Sequence, residues 1–444
     1  MENSQNMLLQ FSLENYLSFK DEAVLSFVGN KSTKEHETQN ITNWKDHKVL
    51  KSAVVYGANA SGKSNLFSGM GFMRRIVLDS FKDAITEDTL ISKKKSRAFQ
   101  LNPKTKDESS FFEVVFVQND TQYRYGFEIN KGEIESEWLY YVPNKIETSL
   151  FFREGQSIQI NAAKFKEGNK LESKTRENVL FLSVCAQFNG EISNSIIDWF
   201  KEINIISGVE DRSFGGYTTN KIKKDEQFRK WVNKFIDFLE ITKLSVEEEN
   251  IANINIDELD IPDEKKEVKD VLIAIHHLQK KQKTKSTLKS WHKVFDDNNI
   301  LVDTVAFDFH MESKGTQKLI YLLGPIYDSL KNGKILFIDE LDSRLHSILT
   351  RNLLTIFHDG NKNNAQFVFA LHDPSSMEND CFRRDQIYLI EKDQYGASTL
   401  YSLLDYKKVR NDEKFSKNYL KGSYGAVPYI NNFSNLMAEV YGQE

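Results

Sequence analysis

At 444 residues the chain is too long for one simple core and is expected to divide into two or three lobes. Its composition, 40% hydrophobic and 28% charged, is that of a globular protein, and no run approaches the roughly 18 apolar residues of a membrane span. The net charge of −5 gives no overall basic footprint, so it neither supports nor excludes nucleic-acid binding, while the far-separated Cys185 and Cys381 argue against a disulfide framework or a zinc site.

The opening "MENSQNMLLQFSL" lacks the basic and apolar regions of a signal peptide, and a reducing cytoplasm is the expected location. Alternating apolar residues from Leu8 to Val28 predict a hairpin. "VLKSAVVYG" then reads as one short, nearly continuous apolar strand buried inside a sheet. It feeds a glycine-rich stretch and a helix of about four turns ending near Ser80. Gly69 and Gly71 lower that helix's propensity by roughly 1 kcal/mol each, so packing must hold it. The segments "FFEVVFVQND", "YRYGFEIN" and "SEWLYYV" predict antiparallel strands joined by Asn-Asp and Asn-Lys-Gly turns.

Beyond about residue 190 the period changes. Phe228, Trp231, Val232, Phe235, Ile236 and Leu239 recur at helical spacing, and Val268, Val271, Leu272, Ile275 and Leu278 do so again. An acidic connector, "EEENIANINIDELDIPDE", lies between them. The expected organisation is an N-terminal lobe over 1–189, a mostly helical insertion over 190–285 and a C-terminal lobe over 286–444. His276 and His277 are adjacent and point in different directions, which disfavours a shared metal. The lysine-rich runs at 93–97, 280–285 and 407–410 read as solvated loops or helix ends. A hairpin of "TLKSWHKVF" and "ILVDTVAFDF" follows, then a helix, "TQKLIYLLGPIYDSLKN", that Pro325 should kink. Two apolar strands, "KILFIDE" and "AQFVFALHD", joined by a helix, predict a parallel sheet and hence an α/β body.

The stretch "VVYGANASGKSNL" carries the strongest chemical signal. Gly57-x-x-x-x-Gly62-Lys63-Ser64 is the P-loop spacing, placed between a buried strand and a helix. A polyphosphate must lie against backbone N–H groups, so small residues (Gly57, Ala58, Asn59, Ala60, Ser61, Gly62) form the cradle and the following helix offers its positive end. Lys63 is expected to reach the β- and γ-phosphates, and Ser64 to ligate Mg²⁺ with Asn65 beside it. "ILFIDE" supplies the complementary carboxylates. Asp339 is expected at the C-terminal end of a neighbouring strand as the second magnesium ligand, and Glu340 as the base acting on an attacking water. His372, 33 positions past Asp339 and at the end of the next apolar strand, is expected to touch the γ-phosphate. In "ESKGTQKL" a serine and a glycine open a helix, a second anion site that makes sense if it caps a nucleotide bound by another subunit.

Together these motifs resemble the ABC-type ATPases of the SMC-like and RecF-like group. More closely, "LLQFSLENYLSFKDEAVLSF", "YGANASGKSNL", "FFEVVFVQNDTQYRYGFEI", "ESKGTQKL", "ILFIDELDSRLH", "ALHD" and "YLKGSYGAVP" resemble the AAA-type ATPases of prokaryotic abortive-infection and phage-defence systems, which are also related to overcoming-lysogenization nucleases. The resemblance implies a P-loop NTPase of ABC-ATPase type with an antiparallel β subdomain and an inserted helical lobe. It implies ATP and Mg²⁺ as ligands, Glu340 and His372 as catalytic residues, and Ser64 and Asp339 at the metal. It also assigns Ser313 and Gly315 to the signature that engages a partner's γ-phosphate, Asp342 to a dimer-contacting loop and Gln100 to a glutamine loop. Lys314 stands where transport proteins of this type usually have glycine. No Toprim-type nuclease segment is seen after His372, so an effector is expected to be a separate nuclease or toxin.

Three functions compete at this stage. The first is an ATPase that forms sandwich dimers, or a higher homo-oligomer, and controls an effector in anti-phage defence. The second is a DNA-repair or DNA-end-processing ATPase, for which DNA would be the partner. The third is a nucleotide-gated scaffold with negligible turnover. A membrane partner is not expected.

Overall fold

The structure, a computed structural model, describes residues 6–83, 97–208, 212–250, 284–378, 380–406, 409 and 413–427. The chain divides into two compact units, residues 1–209 with 328–444 and residues 210–327. The predicted helix over 268–278, the His276–His277 pair and most of the three lysine runs lie outside the described residues.

In the first unit β1 (Met7–Glu14) and β2 (Ala23–Ser26) form the expected hairpin, with Leu13 opposite Ala23. The apolar run at 49–57 is two strands rather than one. β3 (Ile41–Trp44) and β4 (His47–Leu50) make a small ribbon, and Lys51 separates it from β5 (Ser52–Gly57), which is buried along its whole length. Helix α1 (Lys63–Asp83) follows.

Next comes a meander of β6 (Ser110–Gln118), β7 (Thr121–Asn130), β8 (Glu133–Val142), β9 (Thr148–Glu154) and β10 (Ser157–Ile160). Its first two turns work as predicted: Asn119 and Asp120 (φ 49° and 60°) and Lys131 and Gly132 (φ 51° and 98°) are all left-handed, the twist that hairpin turns require. β6 pairs with β1, giving a seven-stranded antiparallel sheet in the order β10-β9-β8-β7-β6-β1-β2.

α2 (Phe181–Gln187) and α3 (Glu191–Lys201) lead to β11 (Ile203–Ser207). Here the sequence reading needs correction, because residues 203–207 belong to the main body's sheet and not to a helical insertion. The β-branched run "INIIS" suits a strand that covers an otherwise open sheet edge.

The second unit holds α4 (Arg212–Lys224) and α5 (Glu226–Phe235), on which Phe228 and Val232 are buried as the periodicity predicts. The Asp225 carboxylate caps α5 by accepting the Phe228 N–H at 2.9 Å. The start of the acidic connector is strand. β12 (Ile241–Asn250), β13 (Thr284–Phe295) and β14 (Leu301–Asp308) form a three-stranded antiparallel sheet, with Glu249 opposite Lys285. A charged sequence is compatible with an edge strand. Helix α6 (Lys314–Asn332) begins in this unit and contains Pro325.

Proline has no N–H for the Tyr321 carbonyl four residues back. Instead the buried Thr218 hydroxyl donates to that carbonyl at 2.5 Å, in a notch left open by Gly324, where a Cβ would collide with the same hydroxyl. Thr218→Val keeps the shape and removes this donor, so it is expected to cost about 1 kcal/mol. Chemical denaturation of the whole chain checks this. A Thr218→Val midpoint equal to that of Thr218→Ser would show the bond to be unimportant.

Back in the first unit, β15 (Ile335–Asp339), α7 (Ser347–Asp359), β16 (Gln366–Ala370), β17 (Ile387–Lys392), β18 (Ser398–Ser402) and α8 (Phe415–Leu420) complete the chain. The second sheet runs β11-β15-β16-β5-β17-β18, parallel except for β18. Helix α1 is wedged between the two sheets. A Cβ on Gly69 would lie 2.6 Å from Leu13 of the antiparallel sheet, while Phe67 meets Phe337 of the parallel sheet edge-on at 5.6 Å. The helix-weakening Gly69 is therefore what allows β1 to come so close. Among the described residues no helix is long and apolar enough to cross a membrane.

Candidate nucleotide-binding site

β5, β15, β16 and β17 all end on the same edge of the parallel sheet, where open α/β sheets present their ligand sites. The loop after β5 has the glycines its geometry demands. A Cβ on Gly57 would sit 2.5 Å from Ile390 O, and Gly62 has φ 122°, with a Cβ position 2.6 Å from Ser398 Oγ. Ala60 is also left-handed, at φ 63°. The first turn of α1 then opens directly onto a cleft lined by residues 59–65, Glu340, His372 and Lys392. The N–H groups of Asn65 and Leu66 donate to Gly62 O at 3.0 and 3.1 Å, while the helix start still turns its positive end to the cleft, which makes it a ready anion seat.

Lys63 is nearly enclosed, 5% exposed, and its ammonium donates to Gly57 O at 2.6 Å and Ala58 O at 3.1 Å. Burial lowers its pKa, opposed by the charges of Asp339, Asp342 and Glu340. Asp339 ends β15; burial raises its carboxyl above the usual range, and a hydrogen bond from Ser64 pulls it down. Its Oδ1 is buried with no hydrogen-bond partner. A hydroxyl and a half-satisfied buried carboxylate side by side form a hard-oxygen donor pair that fits a magnesium ion. One detail differs from expectation: β16 lies between β15 and β5, so Asp339 reaches the loop from two strands away.

Glu340 follows in the left-handed region, φ 51°, a conformation that costs a non-glycine residue about 1 kcal/mol or more. It is supported from below, where Gly208 N donates to Asp339 O at 2.7 Å and a Cβ on Gly208 would meet the same carbonyl. The Glu340 carboxylate lies 3.9 Å from His372 Nε2, and both side chains remain about one-third exposed (33% and 37%), open to solvent from the cleft. Asp342, expected in a dimer-contacting loop, is nearly buried. Its Oδ2 accepts the backbone N–H groups of His372 (2.7 Å) and Asp373 (2.6 Å), fixing the loop that carries the histidine.

Not every expected residue joins the cleft. Gln100 is exposed, its amide donating to Ala98 O at 2.9 Å, and it is not part of the cleft lining. Ser313 and Gly315 belong to the second unit. Ser313 is exposed and caps α6 by accepting the Thr316 N–H at 3.1 Å, with Gly315 on the first turn. Sequence reasoning also missed residues that hold the loop. Ser398 Oγ donates to Ser61 O at 2.5 Å and lies 2.8 Å from Ser18 Oγ, which in turn accepts from the Asn65 amide at 2.7 Å. Lys392 enters the cleft from the end of β17, directly across the ladder from Ser398. Isolated serines and a strand-end lysine carry no motif.

A glycine cradle opening a helix on a parallel sheet, with a hydroxyl–carboxylate pair beside it, defines the class: a P-loop nucleotide-binding protein of α/β architecture. The chain belongs to the family described as "AAA domain, putative AbiEii toxin, Type IV TA system", which matches residues 52–378. No curated protein matches it. Among solved structures it is similar to the SMC head domain from Thermotoga maritima, at TM-score 0.42 and 12% identity over 89% of this chain and 98% of that one. It is similar to an SmcHead bound to the C-winged helix domain of ScpA, at TM-score 0.44 and 10% identity over 89% and 97%. A third is an Smc head domain with an extended coiled coil, bound to the C-terminal domain of ScpA derived from Pyrococcus furiosus, at TM-score 0.37 and 12% identity over 90% and 96%.

Proposed function

We propose that the chain is a cytoplasmic, magnesium-dependent ATPase whose copies close in pairs around two ATP molecules, and that it regulates a separate nuclease or toxin effector in anti-phage abortive infection. The observation that carries the chemistry is the single cleft shared by the loop at 59–65, Glu340 and His372. The defence role rests on the family and on the sequence motifs.

In this reading the backbone from Gly57 to Gly62 cradles the phosphates, and Lys63 leaves its own loop carbonyls to pair with the β- and γ-oxygens. Ser64 and Asp339 hold magnesium, which when bound neutralises the phosphate charge. Glu340 orients and deprotonates the attacking water, and His372 donates to the γ-phosphate oxygens. Asp342 acts by positioning His372 rather than by touching nucleotide. Ser313 and Gly315 serve the neighbouring copy, because an exposed, serine-capped helix start is a second anion seat. Gln100 has no role here.

Sharing of the site between copies is tested by complementation. Lys63→Ala and Ser313→Arg are each expected to be inactive alone. Mixed in equal amounts they form heterodimers with one intact site, so about a quarter of normal ATP hydrolysis should return. If the mixture releases no more phosphate than the separate variants, the two motifs do not meet across copies.

A further inference from the structure

Among the described residues two lysines line the nucleotide cleft, Lys63 from the loop and Lys392 from the end of β17. Lys63 is enclosed by its own loop carbonyls. Lys392 is exposed and, among the described residues, pairs with no carboxylate. A solvated lysine at a strand end is ordinary, so its position decides what it does.

Strand alternation fixes the side on which Lys392 stands. Tyr388 and Ile390 are buried in the same core as Leu66 and Phe67 of α1, and alternate residues of a strand share a face. Lys392 is the next member of that row, two residues past Ile390, which lies beside Gly57 in the parallel ladder. It therefore stands over the glycine loop on the side of the α1 N-terminus. Its backbone is tied to that loop: Lys392 pairs with Ser398, whose Oγ donates to Ser61 O at 2.5 Å. The acids on either side of it are turned elsewhere. Asp393 accepts the N–H groups of Tyr395 (2.9 Å) and Ala397 (2.8 Å) within its own turn, and Glu391 accepts from the Tyr401 hydroxyl at 3.4 Å.

Strand order then gives the cleft a direction. Glu340 follows β15 and His372 follows β16 on one side of β5, while Lys392 ends β17 on the other. Three strand spacings separate β15 from β17, so Glu340 and Lys392 rise from points roughly 14 Å apart across the sheet edge. Among the described lining residues Glu340 is the only carboxylate, so the Lys392 end carries positive charge alone. A polyphosphate that presents its terminal phosphate to Glu340 and His372 has to run across the loop towards Lys392.

We propose that Lys392 is a second phosphate clamp, which grips the inner, nucleoside-proximal part of the chain while Lys63 serves the outer part. The proposal rests on the P-loop reading of the cleft and goes on to set the polarity of the bound nucleotide, with the nucleoside at the β17 end. A compact ammonium on a flexible stem, rooted in a fixed strand end, suits a charged phosphate whose oxygens it must follow.

The test is calorimetric titration of the full chain with ADP and with the β,γ-imido analogue of ATP, both in magnesium. Lys392→Ala is expected to weaken both ligands by the same factor, about tenfold, because both keep the inner phosphates. Lys392→Arg keeps the charge and is expected to bind both within about twofold of the natural chain. Loss confined to the ATP analogue would put Lys392 at the terminal phosphate and overturn the proposal. Unchanged binding by Lys392→Ala, or binding by Lys392→Arg as weak as that of Lys392→Ala, overturns it too while leaving the P-loop reading in place. A natural chain that binds neither nucleotide would remove the P-loop reading and the clamp with it. Circular dichroism and a thermal melt of both variants separate lost binding from lost fold.

Discussion

Lys63→Ala is expected to lower ATP hydrolysis by about 10²–10³-fold, the loss that follows removal of one preorganised donor to a developing oxyanion. The lysine's surroundings argue that this loss is chemical and not structural. Its ammonium is almost enclosed, and burial pushes its pKa down against the opposing charges of Asp339, Asp342 and Glu340, so the fold holds a partly desolvated cation that an anionic ligand stabilises further. Its hydrogen bonds to Gly57 O and Ala58 O are a resting arrangement that substrate phosphates replace. Truncation removes both the buried charge and these two bonds, and the thermal midpoint is expected to stay within a few degrees of the natural chain. Phosphate release and a thermal melt on the same preparation decide the matter. An inactive variant that melts far lower would mean that Lys63 is a structural residue of the loop; an active variant would mean that the cleft does not handle phosphate through this side chain.

The contrast between Lys63 and the residues beneath it explains what the sequence could reveal. Gly57 and Gly62 were legible because sterics leave no alternative: Ile390 O and Ser398 Oγ crowd the places where their side chains would be. Asp339 was legible because an apolar strand has to end before a charge appears, and the burial of residues 335–338 obeys that rule. The brace made by Ser18 and Ser398 was not, since two hydroxyls 380 positions apart become partners only after β18 is laid beside β17. Strand order was hidden for a similar reason. Strand–helix–strand fixes parallel direction but not which strand is inserted between two others, so the place of β16 between β15 and β5 had no local signature. β11 and β12 failed differently. Both are edge strands, and neither carries a long apolar alternation: β11 has five residues and β12 ends in the polar run "EEEN". Gln100 was assigned from resemblance alone, and nothing in its neighbourhood sends its amide to the cleft.

Glu340→Gln is expected to slow hydrolysis by about 10²–10⁴-fold, the usual range for loss of a general base, while leaving ATP binding intact. Glutamine keeps the size and the hydrogen-bonding oxygen but cannot take a proton from water. The phosphate seat is built from other parts, namely the loop backbone, Lys63, Ser64 and Asp339, so affinity should survive. The geometry also predicts a second consequence. Glu340 occupies a left-handed backbone position held from beneath by Gly208, and its carboxylate faces His372 at 3.9 Å. An isosteric amide preserves this placement, so bound ATP persists and the closed pair accumulates. Light scattering of Glu340→Gln with ATP and magnesium should therefore give twice the monomer mass where the natural chain relaxes with turnover, and ADP should not substitute. Normal hydrolysis by Glu340→Gln would remove the base from the scheme and turn attention to His372. Tight ATP binding with no change of mass would leave the chemistry standing while removing the pairing of copies, because the trapped nucleotide is the only glue that the reading supplies.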